Sequence, residues 1–179
     1  MKRITIISLA MLALCGGAMA QDTRGGFAVT VAGVGQLPVG DYADVAGMAF
    51  GGMGGIEVGM NPGLALTARA GYIQHLTKDD DDDSFKLRHI PIMGGIKFTV
   101  PETPLYLAGE VGAVMTHSEM DAPITGTDTN DETNLGWDAG IGTMAGPLDL
   151  RATFNVWDAA HMSETMTIGL SLGFTIWSM

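Results

Sequence analysis

The residues of this chain that could do chemistry are few. His161-Met162-Ser163-Glu164 holds an H-x-S pair, and on an extended strand that spacing sets an imidazole and a hydroxyl on one face, where a carboxylate can orient the base. Here the pair falls between Trp157 and Thr165, in an expected loop, and Glu164 is adjacent in sequence rather than brought in from another strand. A solvated loop is therefore expected, with no catalytic residue. Asp79, Asp80, Asp81, Asp82 and Asp83 form a run of carboxylates between Lys78 and Ser84. Oxygen ligands at that density suit Ca²⁺ or Mg²⁺, but the run lacks the Gly and terminal Glu of an EF-hand. Like charges repel one another into a solvated loop, so no defined metal site follows. His75, His89, His117 and His161 fall at or beyond the ends of the expected strands. The first three could converge on a metal with the Asp run, yet spacings between separate strands carry no geometry, and unrelated rim histidines are expected. The glycines alternate along strands instead of opening a helix, so no phosphate loop is present. No cofactor is expected.

The sole cysteine, Cys15, lies in the first twenty residues, MKRITIISLAMLALCGGAMA. Basic Lys2 and Arg3, apolar Ile4 to Leu14 and the A-x-A of Ala18-Met19-Ala20 predict a cleaved secretory signal peptide over 1–20. Bulky Leu14 before Cys15 argues against lipidation. The mature domain, 21–179, then has no thiol for a disulfide or a metal. Losing Lys2 and Arg3 moves the net charge from −11 to −13. An acidic chain without clustered Lys and Arg excludes nucleic acid as a partner. Charged residues at 16%, 26 glycines and a mean hydropathy of +0.24 are too apolar and glycine-rich for an ordinary secreted globule.

What would position these residues is a set of strands. Period-2 alternation recurs in eight segments of roughly ten residues, the length a tilted strand needs to cross a bilayer. They are Gly26 to Gly35, Gly52 to Met60, Leu64 to Gln74, Ile90 to Val100, Leu105 to Thr116, Leu135 to Met144, Leu148 to Val156 and Met166 to Trp177. In the last, Ile168, Leu170, Leu172, Phe174 and Ile176 oppose Thr167, Gly169, Ser171, Gly173 and Thr175. Pro91 cannot donate to a ladder and is expected to fray the start of the fourth segment. Short turns at Asn61-Pro62-Gly63, Pro101 to Pro104 and Gly146-Pro147 alternate with long links at Gln36 to Met48, His75 to His89, His117 to Asn134 and Trp157 to Thr165. Short turns on one rim and long loops on the other describe a bacterial outer-membrane barrel, with both termini periplasmic.

The polar faces carry Glu57, Arg69, Lys97, Glu110, Asp138, Asp149 and Arg151, and the opposite faces carry no charge. In a soluble barrel those charges would meet water; in a membrane barrel they line the interior. The export signal, the near-balance of signs and the small residues beside them favour the membrane geometry. An eight-stranded barrel is only just wide enough for its side chains, so an ion-paired polar plug is expected rather than a conduit, with Glu57 and Arg69 on neighbouring strands as the first pairing.

The C-terminal stretch Thr167-Ile168-Gly169-Leu170-Ser171-Leu172-Gly173-Phe174 matches the form polar-x-Gly-x-x-apolar-x-aromatic. With Leu37 to Asp44 and Gly94 to Phe98, it resembles the small outer-membrane β-barrels of the OmpA/OmpX type, the porin-like β-barrel domain of Gram-negative envelopes. That resemblance implies an all-β fold: an eight-stranded antiparallel up-and-down transmembrane β-barrel. It also implies that Thr167, Gly169, Leu172 and Phe174 form the insertion signal read by the barrel-assembly machinery, although family members normally end at the aromatic and here Thr175 to Met179 follow. The expected protein is a monomeric, non-enzymatic envelope element or anchor, set among outer-membrane lipid and lipopolysaccharide, which displays acidic loops to an extracellular ligand. Competing readings are a lipid A-modifying enzyme of the deacylase kind, which would use His161 and Ser163, a narrow solute channel, and a soluble periplasmic β-barrel carrier.

Overall fold

The computed structural model describes residues 26–76, 84–122 and 126–179; the expected signal, 1–20, and Asp79 to Asp83 lie outside the described residues. Eight strands follow one another around a closed antiparallel barrel: β1 (Phe27–Pro38), β2 (Ala49–Asn61), β3 (Leu64–His75), β4 (Ser84–Thr99), β5 (Leu105–Ala122), β6 (Gly126–Ala145), β7 (Leu148–Val156) and β8 (Met166–Ser178). β8 pairs back onto β1. Closure satisfies every strand's backbone groups laterally, the condition for crossing hydrocarbon with strands. Among the described residues no helix is long and apolar enough to cross a membrane.

Period-2 alternation decides what faces where, because one step along a strand reverses the side of the sheet. Leu66, Ile92, Ile96, Leu107, Val111, Ile141, Leu170 and Leu172 are exposed on the outside, whereas Lys97, Glu110, Asp138 and Arg151 are buried inside. A soluble carrier would need the reverse. The outward aromatics fall in two belts. Phe27, Phe98, Phe174 and Trp177 lie towards the short turns, and Phe50, Tyr72, Trp137 and Phe154 towards the long links. Such girdles mark the two interfaces of a membrane barrel. Gly63 closes the Asn61-Pro62-Gly63 turn at φ +82°, a backbone region where a Cβ is strained.

Three expectations change. The links His75 to His89 and His117 to Asn134 are not simply loops: β4 begins at Ser84, and β5 and β6 pair from Leu105↔Thr143 out to Ala122↔Gly126, a hairpin of 18- and 20-residue strands. Pairing begun in the barrel continues in the same register to the hairpin tip, so this polar segment is strand as well. Pro91 does not fray a strand end. It is fully buried in the middle of β4, in register with Val114 on β5, and its missing N–H costs pairing on the β3 side, where the ladder skips from Ala70↔Ile92 to Ile73↔His89 without a change of register. Finally, the Gln36 to Met48 link contains a one-turn helix, α1 (Tyr42–Val45), which turns Tyr42 and Ala46 into the barrel mouth.

Candidate functional site

All seven interior charges meet partners across the lumen. Arg151, on β7, donates to Glu110 Oε1 at 3.2 Å and to Asp138 Oδ1 at 2.5 Å. Arg69, on β3, reaches Glu110 Oε2 at 3.2 Å, and Thr67 Oγ1 donates to Oε1 at 3.0 Å. Glu110 and Asp138 are directly opposed on β5 and β6, a like-charge pairing that would be destabilising on its own; the guanidinium of Arg151 bridges them. Nearer the short turns, Lys97 Nζ donates to both oxygens of Glu57 at 3.0 and 2.9 Å, lies 4.0 Å from Asp149 Oδ2 and sits 4.3 Å over the Tyr106 ring. The Tyr106 hydroxyl closes this group by donating to Asp149 at 2.5 Å.

The expected Glu57–Arg69 pair is not formed. Arg69 stands in register with Gly55, and Glu57 with Thr67, so Arg69 reaches over to β5 and Glu57 is taken by Lys97 of β4. Interior glycines give these long side chains their room: a Cβ on Gly55 would stand 2.9 Å from Arg69 Cγ, one on Gly140 2.9 Å from Arg151 Nε, and one on Gly142 inside the Tyr106 ring. A space of about 30 Å³ lies in the lumen, lined by Glu57, Arg69, Lys97, Tyr106, Asp149 and Arg151 among others. That volume admits a water or two.

A second cluster, built on Tyr42, which the sequence pattern did not suggest, closes the long-link rim. Tyr42, His75 and His89 are 4%, 3% and 3% exposed. The Tyr42 hydroxyl lies 3.2 Å from His75 Nε2 and 3.1 Å from His89 Nε2. The two rings meet edge-on with centroids 5.1 Å apart, and Trp157 stacks on His89. Ile73, Leu87, Met93 and Val114 pack beneath. Burial pushes the Tyr42 phenol well above its ordinary range, so it keeps its proton. The expectation of unrelated rim histidines fails for His75 and His89, which come together on Tyr42, while His117 pairs with Asp131 across the β5–β6 hairpin. Two histidines at inward positions of adjacent strand ends, β3 and β4, were the available signal. Among the described residues no group of three or more His, Cys, Asp or Glu is arranged to hold a metal.

His161 and Ser163 lie in the β7–β8 connection, Ser163 within a one-turn 3₁₀ helix (Met162–Glu164). The carboxylate that holds His161 is Asp158, at 2.8 Å from Nδ1, rather than Glu164. This hydrogen bond pulls Asp158 below the usual carboxylate range and lifts His161 above the usual imidazole range. His161 is exposed, its side chain 64% accessible.

Residues 6–174 match the outer membrane protein beta-barrel domain. The chain belongs to that family. It is an outer-membrane barrel that crosses the membrane with strands. No curated protein sequence matches it. Among solved structures, it is similar to Ail, the attachment invasion locus protein of Yersinia pestis, at 12% identity and TM-score 0.65, covering 87% of this chain and 99% of that one. The N-terminal β-barrel domain of Pseudomonas aeruginosa OprF is similar at 12% identity and TM-score 0.59, covering 86% and 98%. Neisserial surface protein A follows at 14% identity and TM-score 0.52, covering 84% and 95%. At these identities the likeness is one of fold.

The residues matching the family's insertion signal lie along β8, Thr167, Gly169 and Ser171 facing in and Leu172 and Phe174 facing out. The five residues beyond Phe174 continue the strand. Register on β1 slips from Thr30↔Thr175 to Val29↔Trp177, so Ile176 is the extra residue of a β-bulge, which returns Trp177 to the outer face. There it packs edge-on against Phe27, ring centroids 5.6 Å apart.

Proposed function

We propose that this protein is a non-enzymatic outer-membrane anchor which holds its termini in the periplasm and presents acidic loops at the cell surface. The observation that carries the reading is the filled interior. Opposed ion pairs and the Tyr42 cluster occupy the lumen, with small spaces of about 30 and 10 Å³ between them, which supports a plug rather than a conduit. What varies in charge is the long-link rim. Fourteen of the twenty Asp and Glu lie in segments 36–48, 75–89, 117–134 and 157–165, against Lys78, Lys86 and Arg88. Loops carried on a rigid scaffold are where binding concentrates.

That charge also bears on the partner. Ail has been solved with the heparin analogue sucrose octasulfate, a polyanion. The rim of the present chain would repel such a ligand, and its charge suits a cationic surface, or lipopolysaccharide phosphates reached through bridging divalent cations. The barrel-assembly machinery is the partner proposed during insertion, and the working unit is a monomer.

The test combines topology and loss of loops. The protein should enter the outer-membrane fraction, shift on gels between unheated and boiled samples, and give no stepwise conductance in planar bilayers. Deleting residues 78–84 and trimming the β5–β6 hairpin to its His117↔Asp131 pair should leave a heat-modifiable barrel that no longer captures cationic vesicles. Stepwise conductance would replace the anchor with a channel. A change in lipid A acylation that is lost with His161→Ala would replace it with an enzyme.

A further inference from the structure

The hydrogen bonds at the barrel mouth fix where their protons sit. His75 Nδ1 is 2.9 Å from the Gly47 carbonyl oxygen. A carbonyl only accepts, so Nδ1 carries the proton and His75 Nε2 is a bare lone pair. Tyr42 must therefore donate its hydroxyl proton to His75 Nε2. With that proton spent, His89 Nε2–H donates to the Tyr42 oxygen, and His89 Nδ1, 2.9 Å from Thr116 Oγ1, accepts from the Thr116 hydroxyl. The result is a one-way chain, Thr116 to His89 to Tyr42 to His75 to Gly47, joining β5, β4, α1 and β3. With both histidines neutral it requires opposite tautomers.

A proton on His75 Nε2 would reverse the chain, Tyr42 turning its hydroxyl to His89 Nε2 and His89 giving Nδ1–H to Thr116. What opposes it is the burial of a charge among apolar side chains rather than a lost hydrogen bond. A proton on His89 Nδ1 would force the Thr116 hydroxyl to turn its proton away. Among the described residues, little else nearby could accommodate the charge. From α1 the pair faces Tyr42, while Asp41 and Asp44 are exposed; from β3 it faces Ile73; from β4 Leu87, with Arg88 alternating to the other face; from β5 Val114 and Thr116; and from the end of β7 Trp157. Arg69 and Asp138 lie one layer deeper, sharing a small cavity with Met93 and Trp157.

We propose that Tyr42, His75 and His89 form an acid-released latch, which holds α1 in the barrel mouth at neutral pH and lets it swing out when both histidines take up protons. Once α1 leaves, the two imidazoles meet water and titrate near the ordinary histidine value of about 6.5. The open state then binds more protons than the closed one, so closure is fully present above that range and is lost as pH falls through it. With two protons taken up per opening, the opening constant rises about 100-fold per pH unit below the histidine range, and about tenfold with one histidine removed. The latch does not depend on which side of the membrane the rim faces.

Native-state hydrogen exchange on the refolded barrel reads this directly, through the Ala46 amide that donates to the Tyr42 carbonyl at 2.9 Å. Corrected for intrinsic rates, its protection factor should fall about 100-fold between pH 5.5 and 4.5, and about tenfold over the same interval in His75→Gln or His89→Gln. A protection factor that does not change with pH, or an unchanged slope in the double variant, overturns the latch. Imidazole ¹⁵N shifts of the unmodified protein give a check that needs no variant. At pH 7 one buried histidine should be the Nδ1–H tautomer and the other Nε2–H; two alike, or either one charged, would also overturn it.

Discussion

Replacing Arg151 by alanine should be among the most damaging single changes available in this barrel. Arg151 bridges Glu110 and Asp138, which stand directly opposite each other on β5 and β6. The side chain of Glu110 is fully shielded and that of Asp138 is 6% exposed. Without the guanidinium, Glu110 keeps Arg69 and Thr67, but Asp138 is left facing a like charge out of water. Removing one partner of a buried pair costs about 3–5 kcal/mol, mostly through the charge left behind. Arg69→Ala is the internal control: Glu110 then retains Arg151 and Thr67, and a lost charged hydrogen bond alone is worth about 1.5–3 kcal/mol. Urea unfolding of the barrel refolded into vesicles measures both. With a slope of ~1–3 kcal/mol per M, Arg151→Ala should lower the midpoint by more than about 1 M and by clearly more than Arg69→Ala. Combining Arg151→Met with Asp138→Asn should recover part of the loss, since charge and counter-charge leave together. If Arg151→Ala were as mild as Arg69→Ala, the bridging role assigned to this guanidinium would be wrong.

On the outer face, Leu170→Arg should cost ~2–4 kcal/mol if the residue sits near the bilayer midplane, whereas Ser171→Ala, one step along the strand and inward, should change the urea midpoint little. Gly142→Ala should destabilise by about 1–3 kcal/mol, because its Cβ would enter the ring space of Tyr106; pairing it with Tyr106→Leu should relieve the strain in the same titration. The Asp158–His161 hydrogen bond should hold the β7–β8 connection between two limits. The lowered Asp158 loses its contribution as pH falls through its depressed range, and the raised His161 loses its contribution as pH rises beyond its elevated range. Amide exchange at Glu164 should accordingly be slowest between them and lose that pH dependence in His161→Gln.

Strand number, strand order and the inner and outer faces could all be read from the residues alone. Alternation is a local property: each Cβ points to the side opposite its neighbour's, so Lys97 and Glu110 separate from Leu170 without knowledge of the rest of the chain. The turning of the charged face inward rests instead on the export signal, the balance of signs and the small residues beside the charges. The turn at Asn61-Pro62-Gly63 is local in the same way. Partnership across the lumen is not. Arg69 and Glu57 are neighbours on paired strands, yet the height of each side chain after closure, set by the register around the whole barrel, gives Arg69 to Glu110 and Glu57 to Lys97. The histidines follow the same division. His75 and His89 could be assigned to strand ends from the sequence, but their convergence on one hydroxyl depends on α1, a single helical turn too short to announce itself in composition. The period of a strand is written in consecutive residues, whereas a contact across a barrel exists only once the first strand has met the last.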